Sequence, residues 1–204
     1  MSIISSGSIN PVCFESSESF ASNALHPVVT TAAKAALGVA VGFAIQPYAC
    51  LLGGKIFQVM TGLKFDMSAD QDIISIWKDL DQFPLSIIGG ALKTALAGYI
   101  VFVGPLLEEI MFRLGLQELF KSLVENPDSI LNSIARTFGN GFVFGLAHLS
   151  PMQGWVNVPI FCITFAIGCV FTLLTELTGD IISSSAAHMT YNGIVMSHFL
   201  TSSI

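Results

Sequence analysis

Long apolar stretches alternate with short polar segments along most of this 204-residue chain. A helix that crosses a bilayer needs about 20 mostly apolar residues. A polar, acidic segment at 63–83 separates the first two stretches and is expected to leave the hydrocarbon. The pattern predicts an all-α protein, a multi-pass transmembrane helical bundle. The apolar stretches are 28–52, 85–107, 130–149, 156–174 and 181–200.

Two prolines interrupt these stretches and change the expected number of helices. Proline removes a backbone hydrogen bond and clashes with the preceding turn, so it kinks or ends a helix. Pro47 is expected to kink the first stretch or to split it, with 48–60 continuing as a second piece. Pro105 is expected to kink or restart the second stretch, and 106–124 is predicted to be an amphipathic helix. The bundle should therefore contain about five to seven helices, with the polar site inside it.

Glycines at helical spacing indicate where helices pack closely. Gly38 and Gly42 are four residues apart in the first stretch. The third stretch carries Gly139, Gly141 and Gly145. Small residues at such spacing let two helix backbones approach each other in a membrane protein. Both sets are predicted to lie at helix–helix contacts.

The composition supports the membrane assignment. Hydrophobic residues make up 52% of the chain and charged residues only 11%, with a mean hydropathy of +0.72. Soluble domains carry about 25% charged residues. We therefore expect an integral membrane protein that contacts the lipid bilayer. The chain has no segment rich in lysine and arginine, so nucleic acid is not an expected partner.

The ends of the apolar pattern predict the domain organisation. Residues 1–27 are rich in serine and contain no lysine or arginine, so they lack the basic start of a signal peptide. They are expected to form a polar N-terminal tail. Residues 28–204 are expected to form a single membrane-embedded helical domain, since a chain of this length usually holds one.

Two adjacent glutamates, Glu108 and Glu109, lie at the end of the second apolar stretch. A carboxylate in such a place is costly unless it is paired or hydrated. Arg113 follows Glu109 by four residues, with the acid first, which is the favourable order for an ion pair on a helix. Glu108 is rotated by about 100° and faces elsewhere. We predict a structural Glu109–Arg113 pair and a chemically free Glu108, although both glutamates could simply fasten helices.

Three more polar side chains complete a candidate catalytic set. His148 ends the third stretch one turn after Phe144, and His188 and Asn192 are four apart on the last stretch. Each of them alone is explained by capping or by an interhelical hydrogen bond. Together they suit hydrolysis by an activated water, with Glu108 as general base and His148 as its partner. His188 and Asn192 can donate to a developing oxyanion.

The order of these motifs resembles that of the intramembrane glutamic endopeptidases of the CAAX-protease and bacteriocin-processing type (the CPBP or Abi family). All three motifs occur in the family's order, on apolar helices, within a core at 105–192. The motifs are Glu108-Glu109-Ile110-Met111-Phe112-Arg113, Phe144-Gly145-Leu146-Ala147-His148 and His188-Met189-Thr190-Tyr191-Asn192.

The resemblance implies a multi-pass α-helical membrane protease, a hydrolase that needs no metal or other cofactor. By position, the water-activating roles fall on Glu108 and His148. The oxyanion-stabilising roles fall on His188 and Asn192. The supporting residues are Glu109, Arg113 and Phe144.

The resemblance also bears on substrate and location. The implied substrate is a peptide or protein, either prenylated or presented in the membrane. The chain is shorter than the eukaryotic prenyl-protein proteases and closer in size to the bacterial members, so a bacterial cell membrane is the expected location. The lysines and arginines beside the apolar stretches leave the orientation open.

Two other interpretations of the polar set stay open. A zinc-dependent membrane protease would use Glu108, Glu109, His148 and His188 as ligands, although the HExxH spacing of many zinc proteases is absent. A non-catalytic protein of the same fold would use these groups for binding or for helix association. An immunity or scaffold protein and a transporter are examples of that class.

Overall fold

The described part of the computed structural model, residues 17–62, 79–80 and 86–202, is helical and contains no strand. The all-α prediction is confirmed. Five long helices occur in this part of the chain, the lower end of the predicted range. They are α1 (Ser17–Thr61), α2 (residues 86–122), α3 (Ile130–Ala147), α4 (Asn157–Thr178) and α5 (Ile182–Ser202), with a short 3₁₀ segment at Pro151–Val156.

Helix α1 passes through Pro47 without ending, so the predicted split does not occur. A proline inside a membrane helix is tolerated when the surroundings and small local adjustments satisfy the freed backbone groups. The helix begins at Ser17, within the segment predicted to be a tail, where 17–26 contain no proline or glycine. Residues 1–16 and most of the acidic segment 63–83 lie outside the described part. Contacts divide the chain into two units, Met1–Ala33 and Lys34–Ile204.

Helix length and composition support the membrane assignment. Three helices of the described chain are long and apolar enough to cross a bilayer: Pro27–Thr61, Ile88–Ser122 and Asn157–Thr178. Helix α5 is as long as a span but carries several polar side chains, which suits a position inside a bundle.

The predicted glycine contacts are present. A Cβ atom on Gly42 of α1 would lie 2.6 Å from the main-chain oxygen of Ala187 on α5, so the two backbones are in close approach there. On α3, a Cβ on Gly141 would lie 2.9 Å from the main-chain oxygen of Phe165 on α4. These contacts bring α1 to α5 and α3 to α4.

An apolar core joins α1, α4 and α5. It supports the site because Phe171, which is fully buried, contacts the ring of His188 at 4.8 Å between centroids. The buried members of this core are Ala49, Ile163, Ile167, Phe171, Leu174, Ala187 and Tyr191.

Helix α2 contains two π-helical segments and does not break at Pro105. It runs as α-helix to Gly98, as π-helix over Tyr99–Val103, as α-helix over Gly104–Glu109 and as π-helix over Ile110–Gln117, before a last turn at Glu118–Ser122. A π segment closes i to i+5 hydrogen bonds and rotates the residues that follow. The two glutamates therefore lie on one short α-helical turn between two π segments.

Candidate active site

The predicted ion pair on α2 is present and fully buried. Arg113 Nε donates to Glu109 Oε2 at 3.1 Å, and both side chains are 0% exposed. Arg113 Nη1 also donates to Asn140 Oδ1 on α3 at 3.0 Å, and Asn140 Nδ2 donates to the main-chain oxygen of Phe112 at 2.7 Å. A buried charge needs such partners to offset its lost hydration. The pair thus fastens α2 to α3.

The second oxygen of Glu109 reaches α5. His188 Nδ1 lies 3.0 Å from Glu109 Oε1. Because Arg113 holds Glu109 as a carboxylate, Nδ1 carries the proton and donates it to this oxygen. The bond fixes the orientation of the His188 ring and leaves Nε2 facing the other glutamate.

Glu108 points away from the ion pair, as predicted. Its Oε2 atom lies 3.6 Å from His148 Nε2 and 3.8 Å from His188 Nε2, distances too long for direct hydrogen bonds. That oxygen is buried and has no hydrogen-bond partner among the described residues. The side chain as a whole is 34% exposed. This carboxylate oxygen is therefore flanked by two imidazole nitrogens from two other helices.

His148 is the C-terminal cap of α3, and its ring is held in place by its own helix. Its Nδ1 donates to the main-chain oxygen of Phe144 at 2.7 Å. With the proton on Nδ1, the neutral ring presents the lone pair of Nε2 towards Glu108. His148 thus lies at the C-terminal cap of α3, and its Nε2 faces Glu108.

Phe144 packs against both histidines. Its ring centroid lies 4.4 Å from that of His148 and 5.8 Å from that of His188. The Arg113 guanidinium carbon lies 5.4 Å from the same centroid, within reach of a cation–π contact. Gly168 on α4 leaves room for this ring, since a Cβ there would lie 3.0 Å from Phe144 Cβ. Phe144 is the shared wall of the site.

Asn192 lies one helical turn after His188 on α5, but its contact is with the backbone. Its Nδ2 donates to the main-chain oxygen of Ile100, in the first π segment of α2, at 3.0 Å. The second N–H of this amide remains available for another acceptor.

A second buried polar network was not anticipated from the sequence. Arg136 on α3 binds Glu176 on α4 through Nε at 3.1 Å and Nη2 at 3.0 Å. Gln117 on α2 donates to the same carboxylate at 2.7 Å, and Arg136 Nη1 donates to the main-chain oxygen of Pro127 at 2.6 Å. Arg136 and Gln117 are 40 and 59 residues away from Glu176 in sequence, so no local spacing reveals their contacts with it.

Within the described ranges, no group of three or more histidine, cysteine, aspartate or glutamate side chains has the arrangement of a metal site.

The fold and the site define a class of protein: a helical membrane protein with a glutamate and two histidines gathered inside its bundle. The model of the family described as type II CAAX prenyl endopeptidase Rce1-like matches residues 90–194, just over half of the chain. The chain belongs to this family of CAAX-type membrane proteases, and the resemblance seen in the three motifs is confirmed. No curated protein and no solved structure matches it significantly.

Proposed function

We propose that this protein is an intramembrane endopeptidase that hydrolyses a peptide bond with a water activated by Glu108 and His148, without a metal. The observation that carries the proposal is the position of Glu108 Oε2, buried and unpartnered among the described residues, between the Nε2 atoms of His148 and His188. The site is proposed to lie in a multi-pass protein of a bacterial cell membrane.

The proposed reaction begins with proton removal from water. The Glu108 carboxylate and the Nε2 lone pair of His148 are both acceptors, so they suit a water that donates its two protons. Glu108 takes one proton while the oxygen attacks the peptide carbonyl. General-base catalysis of this kind contributes about 10²–10⁴-fold to a rate.

The later steps use the remaining polar groups. The attack converts the carbonyl into a tetrahedral oxyanion, and the proposed donors to it are the second N–H of Asn192 and Nε2 of His188, which carries a proton in the doubly protonated ring. Glu109 orients the His188 ring through Nδ1. When the carbon–nitrogen bond breaks, the proton held by Glu108 passes to the leaving amine, directly or through His148. A carboxylic acid and an amine are released, and the site returns to its first state.

The proposed substrate is a peptide or protein that reaches the site from the membrane, and prenylation is one way to bring it there. Membership of the CAAX family and the bilayer-spanning helices support this proposal. The test is cleavage, read by mass spectrometry, of prenylated and unprenylated forms of the same peptide library by protein reconstituted in lipid. Equal cleavage of both forms would argue against a prenyl requirement.

The same cleavage assay compares two site variants, Glu108→Gln and His148→Ala, with two control variants, Glu118→Gln and His198→Ala. Glu118 lies on the same helix as Glu108 but is paired with Lys121 at the surface, and His198 is exposed on α5. We expect both site variants to lose cleavage at unchanged thermal stability and both controls to keep it. Cleavage retained by Glu108→Gln would contradict the proposal and favour a non-catalytic role.

A zinc enzyme with the same residues is the second candidate. Metal-bound histidines usually donate their other ring N–H to a carboxylate or a backbone carbonyl. His188 and His148 make these two kinds of bond, to Glu109 and to the Phe144 carbonyl. Cleavage that is lost on treatment with a chelator and restored by zinc would favour this candidate; cleavage that survives the chelator would favour the metal-free mechanism.

A further inference from the structure

The helical turn that carries the glutamates has an unusual feature at its start. In the π segment Tyr99–Val103, the N–H of Gly104 donates to the main-chain oxygen of Tyr99, five residues earlier. In the same register the next donor would be residue 105 and the next acceptor the carbonyl of Ile100. Residue 105 is a proline, which has no N–H. The Ile100 carbonyl thus has no backbone donor in this register.

Asn192 supplies the missing donor. Its Nδ2 donates to the Ile100 oxygen at 3.0 Å, across from α5 to α2. Buried backbone carbonyls are nearly always paired, so a proline in a membrane helix needs such a substitute. The carbonyl in turn fixes the plane of the Asn192 amide, because one of its two N–H groups is committed and the other must point in a set direction.

A parallel arrangement occurs at the second π segment. There Asn140 Nδ2 donates to the main-chain oxygen of Phe112, while its Oδ1 accepts from Arg113. In both places a π segment of α2 presents a carbonyl to an asparagine of another helix, and that asparagine, or the residue it contacts, belongs to the site. The recurrence indicates that the carbonyls of the π segments are used as anchors for site side chains.

We propose that Pro105 is a positioning residue: by withholding an N–H from the Ile100 carbonyl, it keeps that oxygen free to orient the Asn192 amide. This proposal rests on the proposed function for its catalytic consequence only. Pro105 is fully buried, and its ring has no hydrogen-bond donor or acceptor with which to take a direct part in the reaction.

The test replaces Pro105 by alanine, which returns an N–H at position 105. The new N–H can bond to the Ile100 carbonyl within α2 and compete with Asn192. The control is Pro159→Ala, which changes another fully buried proline in the first turn of α4, on a helix that supplies none of the four proposed catalytic residues. Both variants lose similar volume, so a packing effect would affect both.

The first readout does not depend on activity. The side-chain amide of Asn192 is followed by NMR in protein labelled with ¹⁵N-asparagine, and its signal is assigned with Asn192→Asp. We expect one Asn192 amide proton to exchange slowly with solvent in the wild type and in Pro159→Ala, and to lose this protection in Pro105→Ala. Unchanged protection in Pro105→Ala would overturn the proposal.

The second readout is the kinetic effect. Pro105→Ala should lower kcat by about tenfold to a hundredfold with little change in KM, since removal of one oxyanion donor costs about 10²–10³ in kcat. In an Asn192→Ala background the same change should have no further effect. Additive effects in the double variant, or lost protection with unchanged kcat, would overturn the catalytic part. If wild-type protein cleaves nothing, the proposed function fails, and the amide signal alone decides the role of Pro105.

Discussion

His188 Nδ1 and Glu109 Oε1 lie 3.0 Å apart, and this bond joins the two halves of the site. Glu109 belongs to the buried ion pair with Arg113, while His188 turns its other nitrogen towards Glu108. A carboxylate that is fully buried and twice bonded has a structural role, and a histidine held by it has a fixed direction. One imidazole ring therefore lies between the two adjacent glutamates, with Nδ1 bonded to Glu109 and Nε2 facing Glu108.

Arg113→Ala should destabilise the protein strongly. The change leaves the Glu109 carboxylate buried without its arginine partner, and it removes the bond to Asn140. Breaking a buried pair by removing one partner costs about 3–5 kcal/mol. Thermal unfolding in detergent measures the loss, with Lys121→Ala, which breaks an exposed pair, as the control. An Arg113→Ala protein as stable as the wild type would show that Glu109 does not need this partner.

Phe144→Leu should lower activity more than stability. The smaller side chain still fills part of the space, but it no longer places an aromatic ring against the rings of His148 and His188. Small misplacements of reacting groups can cost up to about 100-fold in rate, so we expect kcat to fall by roughly tenfold or more. Phe142→Leu is the matched control, because Phe142 is exposed on the same helix and packs on Phe161. Equal kinetic effects of the two variants would contradict this role of Phe144.

The sequence predicts those contacts of the site that join residues close together on one helix. Glu109 and Arg113 are four residues apart on one helix, so their pairing follows from helix geometry alone. The convergence of His148 and His188 on Glu108 required the family motifs, because three helices meet there. The contacts of Asn140 and Asn192 with backbone oxygens were not predictable, since they join residues of different helices that no local spacing connects.

The same distinction explains the fold. Helix positions followed from the apolar stretches, and the glycine faces predicted close contacts that are present. The sequence did not predict that α1 continues through Pro47. A proline looks the same in a sequence whether or not its surroundings in the fold satisfy the freed backbone groups.

Gly141→Ala should destabilise the contact between α3 and α4. The added Cβ would lie 2.9 Å from the main-chain oxygen of Phe165 and 3.0 Å from the nitrogen of Cys169, so the helices must separate. Forcing extra volume into a packed contact costs about 1–3 kcal/mol. Gly139→Ala is the control on the same helix, since its Cβ meets only the ring of Phe120, at 3.3 Å. Comparable unfolding temperatures for the two variants would show that α4 moves away without cost.

Glu176→Gln should lower stability without changing the chemistry. The substitution leaves the Arg136 guanidinium, whose side chain is 4% exposed, without a charged partner. We expect a loss of about 3–5 kcal/mol in the free energy of unfolding, as for other broken buried pairs. Activity per folded molecule should stay at the wild-type value, because none of the residues in this network belongs to the proposed catalytic set. A lower kcat at full stability would instead connect this network to the site.

Asp180 gives the protein a predictable dependence on pH at the turn before α5. Burial acts to raise the pKa of this carboxyl, but the hydrogen bond from Lys34, the N–H of Ile182 at 2.9 Å and the charge of Lys34 outweigh it and hold the pKa below its usual value. A carboxyl whose pKa is lowered by folding stabilises the folded state above its unfolded pKa, about 3.9 for aspartate. This stabilisation is lost as the pH falls through the folded pKa.

Asp180→Asn removes the charge and keeps an oxygen that can still accept from the Ile182 N–H. The variant should therefore unfold at a lower temperature than the wild type at pH 7. The difference should shrink as the pH falls below about 4, where this carboxyl takes up a proton in the unfolded wild-type chain before it does so in the folded one. Thermal unfolding in one detergent across pH 3–7 measures the gap. Asp128→Asn, in the exposed turn before α3, is the control and should show no comparable gap at pH 7. A gap for Asp180→Asn that stays constant down to pH 3 would mean that the Lys34–Asp180 charge pair does not stabilise the fold.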